Sequence, residues 1–257
     1  MKPKPASSAG TISIIPIRGI PNVQPGDALA EIVLAAATGN NIQFSAGDVL
    51  VLKHKIVAKA EGRIVRLDSV KPSGRALAAA RRNQTDARVL ELALREAKRV
   101  LRDKHVLITE THHGFVCANS GVDVSNVDGG ESAVLLPVNP DKSAARIHRK
   151  LKKLTNLHIP VIICDSFGRA WRQGLCDVAI GVAGMRTIVD YRGKRDDLGY
   201  ELHATEHAVA DELAAMAGIV SGKSARVPAC IIRGYAYIRS AGNARQLVRP
   251  AESDLFR

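Results

Sequence analysis

The sequence predicts a globular fold in which helices and strands are mixed along the chain. Its 257 residues are long enough to bury a core, and 46% of them are hydrophobic. Helical and strand patterns interleave without the even alternation of strand and helix that a β/α barrel requires. No repeat with a period of 20 to 50 residues is visible. We therefore expect a disordered tail at residues 1–10 and one domain over 11–257, which could divide into two subdomains.

The first quarter of the chain predicts a strand, a helix and a second strand. Residues 11–17 have a strand composition, and residues 28–38 carry apolar residues at helical spacing before Gly39 ends the pattern. An apolar run opens the next predicted strand, over residues 49–57. Three lysines cluster around that strand, namely Lys53, Lys55 and Lys59.

The most regular helical pattern covers residues 75–103. Leu90, Leu94, Ala97 and Leu101 form one apolar stripe, and the helix could begin afresh at Thr85-Asp86. Two strands, 106–109 and 115–118, are predicted next. A polar loop over residues 119–131 follows them.

The second half continues with mixed elements. A short helix is marked by Ile147, Leu151 and Leu154, and a buried strand over 160–164 ends at Asp165-Ser166. Thr205 is expected to cap a helix that ends at Gly218. The remaining predicted strands cover residues 178–183, 187–190 and 229–232.

Charge and composition limit the classes of partner. The formal net charge is +12, which favours polyanions such as nucleic acid or phosphorylated small molecules. Four Phe, four Tyr and one Trp supply few rings for stacking on single-stranded nucleic acid. We therefore favour a phosphate-rich small ligand, and we expect no nucleic acid partner.

The cell compartment follows from what the sequence lacks. No run of about 18 apolar residues occurs, and the N-terminus lacks the apolar stretch of a secretory signal. The four cysteines contain no C-x-x-C pair, so we expect reduced thiols. These features predict a cytoplasmic protein without a membrane partner.

Two motif look-alikes are weaker than they first appear. Residues 218–224 resemble a Walker A loop but have three residues between the glycines where that motif has four. His203 and His207 fit the H-x-x-E-H pattern of inverted zinc proteases. A third zinc ligand is hard to place, so a solvated helix start is the favoured interpretation of this segment.

Two polar loops are stronger candidates for a site. Asp123, Ser125 and Asn126 offer the hard oxygen donors that Mg²⁺ or Mn²⁺ prefers, although an Asx-turn explains this loop equally well. Asp165 and Ser166 end a core strand and are followed by Arg169 and Arg172, which can grip phosphate. Together with the nearby lysines, these loops predict a metal–nucleotide site assembled from distant segments.

Six segments in order resemble the coenzyme F420-0:L-glutamate ligase family. They are IPIRGIP (15–21), KIVAKAEGR (55–63), HGFVCANSGVDVSN (113–126), DSFGR (165–169), DYRG (190–193) and AVADELAA (208–215). They cover nearly the whole chain, and its length resembles the stand-alone form of the ligase. The resemblance implies an α+β fold with a mixed sheet and an intertwined homodimer.

The resemblance also implies an activity. Members of this family use GTP and divalent ions to join L-glutamate to F420-0 in coenzyme F420 biosynthesis, through an acyl phosphate, and some add further γ-linked glutamates. We therefore expect GTP, F420-0 and L-glutamate as partners, Mg²⁺ or Mn²⁺ as the metal, and K⁺ as a further candidate cation.

The resemblance assigns roles to individual residues. Asp123, Asp165 and Lys55 would be catalytic, and Asp123, Asp165 and Ser166 would hold the metal. The GTP-binding residues would be Ile15, Pro16, Ile17, Arg18, Lys55, Asn126, Ser221, Gly222, Lys223 and Ser224. Many relatives carry a metal-binding glutamine at Lys223, and a charged lysine cannot coordinate a metal. Arg169 and Arg172 are candidates for contact with the substrate.

Overall fold

The computed structural model describes residues 10–254, so the predicted tail lies outside the described residues except for Gly10. The helices are α1 (Leu29–Gly39), α2 (His54–Ala60), α3 (Gly74–Asn83), α4 (Ala87–Arg95), α5 (Pro140–Thr155) and α6 (Val209–Ser221). The strands are β1 (Ser13–Ile17), β2 (Val49–Lys53), β3 (Ile64–Arg66), β4 (Ala97–Arg102), β5 (Ile108–Thr111), β6 (Val116–Ala118), β7 (Ser132–Val134), β8 (Val161–Arg169), β9 (Arg172–Ala183), β10 (Val189–Asp190), β11 (Glu206–His207) and β12 (Ala229–Arg233).

A mixed five-stranded sheet in the order β1-β12-β2-β8-β9 forms the centre of the fold. β2 and β8 are parallel, with Leu50 opposite Val161, while the other neighbouring pairs are antiparallel. This arrangement confirms the α+β prediction. Because β2 and β8 run in the same direction, their paired segments end at the same edge of the sheet. The residues that follow these segments therefore lie next to each other.

Helices cover both faces of the sheet. Leu50 and Leu52 of β2 pack into one core with Val33 of α1 and Leu151 of α5. Val49 and Val51 point the other way, into a second core with α6. Alternate residues of one strand thus enter different cores, which explains why the whole apolar run of β2 is buried.

A third core joins α3, α4 and the loop that leads to Asp123. Ser120 fixes this loop, because its Oγ lies 2.6 Å from the Ala93 carbonyl oxygen and 2.8 Å from Thr109 Oγ1. Two small sheets, β3-β7 and β4-β5-β6, complete this region. The polar loop predicted at 119–131 therefore has a buried anchor at its start.

Two predicted elements extend too far. The strand predicted over 49–57 ends at Lys53. His54 begins α2, so the backbone changes from strand to helix where the apolar run stops. The helix predicted over 75–103 is two helices followed by β4. The restart at Asp86 is confirmed, since its carboxylate caps α4 by accepting from Arg88 N–H at 2.8 Å. Ala97 and Leu101 leave the helical stripe because β4 pairs with β5.

Two further boundaries are wrong in detail. β8 does not stop at Asp165-Ser166 but continues to Arg169, because its hydrogen bonds with β9 extend along the hairpin. Thr205 does not cap α6, which begins at Val209 after the short strand β11. Within residues 10–254, no helix is both long enough and apolar enough to cross a membrane.

Candidate active site

A pocket of about 680 Å³ opens at the end of the sheet where β2 and the buried part of β8 finish. Five separate segments line it, and their residues are Ile20, Pro21, Asn22, Val23; Lys53, His54, Lys55, Ile56, Lys59; Asp123, Asn126, Val127; Asp165, Ser166; and Ser221, Gly222, Lys223, Ser224, Arg226, Val227, Pro228. The structure thus brings together both carboxylates, Lys55, Asn126 and the 221–224 loop that sequence analysis selected.

Asp123 lines the pocket and contacts Lys55 and Ser125. Its Oδ1 accepts from Ser125 N–H at 2.7 Å, which is the Asx-turn, and its Oδ2 lies 2.7 Å from Lys55 Nζ. Lys55 also donates to the carbonyl oxygen and the hydroxyl of Ser125. Burial acts to raise the pKa of Asp123, but Lys55 and the Ser125 N–H outweigh it and hold that pKa below its usual value. Asp123 therefore forms the Asx-turn and also lines the pocket.

Asp165 also lines the pocket, beside a buried histidine. His54 Nδ1 is 3.1 Å from Asp165 Oδ1, which also accepts from Ser166 N–H at 2.7 Å. Burial acts to raise the pKa of Asp165, but the electrostatic attraction and hydrogen bond of His54 outweigh it, so the pKa is lowered. The charge of Asp123, which lines the same pocket, acts to raise the same pKa.

Ser166 belongs to a chain of polar contacts. Its hydroxyl donates to Asp177 Oδ1 at 2.6 Å and accepts from Lys223 Nζ at 2.9 Å. Asp177 is 6% exposed and also forms an ion pair with Lys53. Lys223 therefore contacts the very hydroxyl that the resemblance assigns to the metal.

Lys59 joins two loops at the edge of the pocket. Its ammonium donates to Asn22 Oδ1 at 3.2 Å and to the Asn126 carbonyl oxygen at 2.9 Å. Burial, reinforced by the charge of Lys55, lowers the pKa of Lys59. Asn126 adopts a left-handed backbone with φ of 58°. The ammonium thus fixes the loop that presents Asn126.

Several predicted site residues lie away from this pocket. Ile15, Pro16 and Ile17 belong to β1, and the pocket wall begins after Arg18, at Ile20. Arg169 and Arg172 flank the exposed tip of the β8–β9 hairpin, where Arg169 donates to the Gln173 carbonyl oxygen. Neither arginine lines the pocket.

Sequence reasoning missed four polar residues that build the site. Lys53 and Lys59 were recognised only as part of a lysine cluster, and His54 and Asp177 carried no motif. One usable signal was position, because Lys53 and His54 directly follow a buried apolar run. Polar groups at the ends of central strands are the ones that a sheet presents to a ligand.

The donor set fits a hard divalent cation. Asp123, Asp165 and Ser166 offer oxygen atoms, which Mg²⁺ and Mn²⁺ prefer, and phosphate oxygens or water would complete the coordination. Across residues 10–254, no group of three His, Cys, Asp or Glu side chains converges on one point. The zinc alternative gains no support, since His207 Nδ1 lies 3.5 Å from Glu212 Oε1 and α6 begins only at Val209.

Comparison with known proteins identifies relatives along most of the chain. The family model of F420-0:Gamma-glutamyl ligase matches residues 18–234. The Coenzyme F420:L-glutamate ligase of Methanothermobacter thermautotrophicus is 45% identical over 250 residues, covering 96% of this chain and 99% of that protein. Proteins of the same name from Methanocaldococcus jannaschii and Archaeoglobus fulgidus are 44% identical over 213 residues and 37% identical over 247 residues. They cover 82% and 96% of this chain, and the matches span 85% and 96% of those proteins.

The matched region includes each wall of the pocket, from Ile20 to Pro228. Both the family model and the relatives cover far more than half of the chain. We conclude that this protein belongs to the F420-0:gamma-glutamyl ligase family.

Proposed function

We propose that this protein joins L-glutamate to F420-0 in coenzyme F420 biosynthesis, with GTP as the phosphoryl donor. The observation that supports this most directly is the convergence of Asp123, Asp165, Ser166 and Lys55 on one pocket. Relatives named Coenzyme F420:L-glutamate ligase make the same reaction class the expected one for this chain.

The reaction divides into two displacements. A carboxylate oxygen of F420-0 attacks the γ-phosphorus of GTP, forming an acyl phosphate and releasing GDP. The neutral glutamate amine then attacks the acyl carbon, phosphate leaves with the electron pair of the broken C–O bond, and the nitrogen gives up one proton to solvent and keeps the other as the amide N–H. The first step activates a carboxylate that is otherwise a poor acyl donor. Further γ-linked glutamates would repeat the same two steps.

The residues of the pocket supply positioning and charge. Asp123, Asp165 and Ser166 would hold Mg²⁺ or Mn²⁺, and a divalent ion there would neutralise charge on the phosphates. Lys55 lies beside Asp123, where its ammonium stabilises charge that shifts toward the leaving GDP. The 221–224 loop and Asn126 form the remaining polar wall for the nucleotide.

A direct assay tests this proposal. The protein is incubated with F420-0, L-glutamate, GTP and Mg²⁺ or Mn²⁺, with and without K⁺, and product mass and GDP are followed. We expect a glutamylated product and stoichiometric GDP. If neither forms, the ligase proposal is wrong, and tight, salt-sensitive binding to duplex DNA would then favour a nucleic acid function for the +12 charge.

Variants at the two carboxylates test the site. Asp123→Asn and Asp165→Asn should abolish turnover while changing the free energy of unfolding by no more than about 1 to 2 kcal/mol, because pocket residues seldom carry the fold. Asp103→Asn is the matched control, since Asp103 is a half-buried residue that pairs with Arg82 and does not line the pocket. Full activity of both pocket variants would contradict the metal assignment.

We also propose that the protein acts as a homodimer. Leu175, Leu198 and Tyr200 are 62%, 97% and 64% exposed, and a homodimer interface would bury large apolar side chains of this kind. Light scattering after size exclusion should give twice the mass of 27.5 kDa. A monomer at micromolar concentration would contradict this proposal.

A further inference from the structure

His54 is buried next to Asp165 for a reason that follows from the sheet. β2 and β8 run parallel, with Lys53 opposite Cys164. The next residues, His54 at the start of α2 and Asp165 within β8, therefore lie side by side where the pairing of β2 with β8 ends. His54 is 2% exposed, so its ring is fixed by packing as well as by the contact with Asp165.

Among the described residues, only one ring nitrogen of His54 has a hydrogen-bond partner. Nδ1 lies 3.1 Å from Asp165 Oδ1, and an ionised carboxylate can only accept, so Nδ1 carries the proton. Nε2 is buried and has no hydrogen-bond partner among the described residues. A nitrogen that is closed off in this way cannot take a proton from a bound amine, which excludes His54 as the general base in this conformation.

The two oxygens of Asp165 are thereby made different. Oδ1 receives His54 Nδ1 and the Ser166 N–H, at 3.1 Å and 2.7 Å. Within residues 10–254, no group donates to Oδ2. The side chain remains 16% exposed and lines the pocket, so Oδ2 is the oxygen available to a ligand.

We propose that His54 is a positioning residue that holds Asp165 with Oδ2 toward the pocket and so raises the affinity for Mg²⁺ or Mn²⁺. The proposal rests on the proposed function, in which Asp165 binds the metal. Neighbours that orient a ligating side chain typically change metal affinity by 10-fold to 100-fold when removed.

The test measures Mn²⁺ binding by electron paramagnetic resonance in the absence of nucleotide. His54→Leu keeps an apolar side chain but removes the donor, and we expect the Mn²⁺ dissociation constant to rise about 10-fold to 100-fold. His54→Asn places an N–H near the position of Nδ1 and should restore affinity to within about threefold of wild type, a margin below the range expected for losing the contact. His112→Leu is the control, since His112 is an exposed histidine outside the pocket.

The outcomes separate the positioning role of His54 from the metal-binding role of Asp165. If Asp165→Asn loses Mn²⁺ binding and His54→Leu keeps it, the role of His54 is wrong and the metal role of Asp165 stands. If Asp165→Asn binds Mn²⁺ like wild type, both fail. His54→Asn that is folded by circular dichroism yet as weak as His54→Leu would also overturn the proposal, because packing and not the N–H would then matter.

Discussion

Gly218 of α6 lies directly against the carboxylate of Asp177 in β9. A Cβ atom added at Gly218 would stand 2.6 Å from Asp177 Oδ2 and 3.0 Å from its Cγ. The helix can approach the sheet this closely only because residue 218 has no side chain. Asp177 in turn accepts from Ser166 and pairs with Lys53, so the packing of α6 reaches the pocket through one side chain.

Gly218→Ala should therefore destabilise the protein despite the better helix propensity of alanine. Alanine gains about 1 kcal/mol over glycine inside a helix. The collision with Asp177 should outweigh that gain, and we expect a net loss of about 1 to 3 kcal/mol in the free energy of unfolding, measured with urea. Gly39→Ala in α1, where a Cβ meets nothing within 4 Å, is the control and should not destabilise. Equal stability of Gly218→Ala and wild type would contradict the close approach.

Lys55→Ala should lower kcat/KM for GTP by about two orders of magnitude or more. The ammonium lies 2.7 Å from Asp123 Oδ2, where it can stabilise charge in the transition state. Steady-state kinetics with GTP as the varied substrate measures the effect. Lys150 is an exposed residue of α5 that pairs with Glu31 of α1, and Lys150→Ala should leave kcat/KM unchanged. A decrease in kcat/KM of less than threefold for Lys55→Ala would contradict the role of Lys55 in stabilising the transition state.

Asn126 should act mainly on nucleotide binding. Its left-handed φ of 58° means that Asn126→Ala adds backbone strain, so Asn126→Gly is the cleaner deletion of the amide. Loss of one hydrogen bond, about 0.5 to 1.5 kcal/mol, should raise the KM for GTP while the Mn²⁺ titration stays unchanged. A metal titration that shifts together with KM would show that Asn126 shapes the loop around Asp123 instead.

His158 should make the protein less stable in mild acid. Burial, with a smaller effect from His148, lowers the pKa of His158 although the Gly184 carbonyl oxygen acts to raise it. The unfolded chain then binds the proton more tightly than the folded one, so stability falls as the pH drops through the unfolded pKa of about 6.5 toward the folded value. Melting temperatures between pH 8 and pH 5 measure this fall.

His158→Gln is the matched variant for that measurement. Its amide can replace the contact that Nε2 makes with the Gly184 carbonyl oxygen at 2.8 Å, but it does not titrate. We expect a smaller decrease in melting temperature for the variant than for wild type over the same pH range. Parallel curves for the two proteins would show that His158 does not contribute.

Cysteine labelling should follow burial. Cys117 is 6% exposed, and burial, together with the charge of Asp165, raises the pKa of its thiol to about 12. Cys176, by contrast, is half-buried. Iodoacetamide at pH 8 should therefore modify Cys176 in the native protein and spare Cys117, as read by peptide mass spectrometry. Equal labelling of the two would contradict the burial of Cys117 in β6.

Local sequence patterns selected residues that do meet in one pocket, but they did not reveal the strand and the side chains that surround those residues. Asp123, Asp165 and Lys55 belong to recognisable segments, and the pocket does bring them together. β4 escaped prediction because Ala97 and Leu101 keep helical spacing, and only pairing with β5 makes them a strand. His54 and Asp177 escaped because their roles come from neighbours far along the chain, which periodicity cannot reveal.

The parallel pairing of β2 with β8 has a consequence for the order of folding. Lys53 and Asp177, which meet beside the pocket, are 124 residues apart along the chain. A contact of that separation requires closure of a long loop before it gains any energy, and parallel pairing cannot begin from a tight hairpin. Helices such as α5 can form early from local contacts, whereas His54 meets Asp165 only after the central strands have paired. A refolding chain should thus recover its helical circular dichroism before it recovers the metal binding that we propose for this pocket.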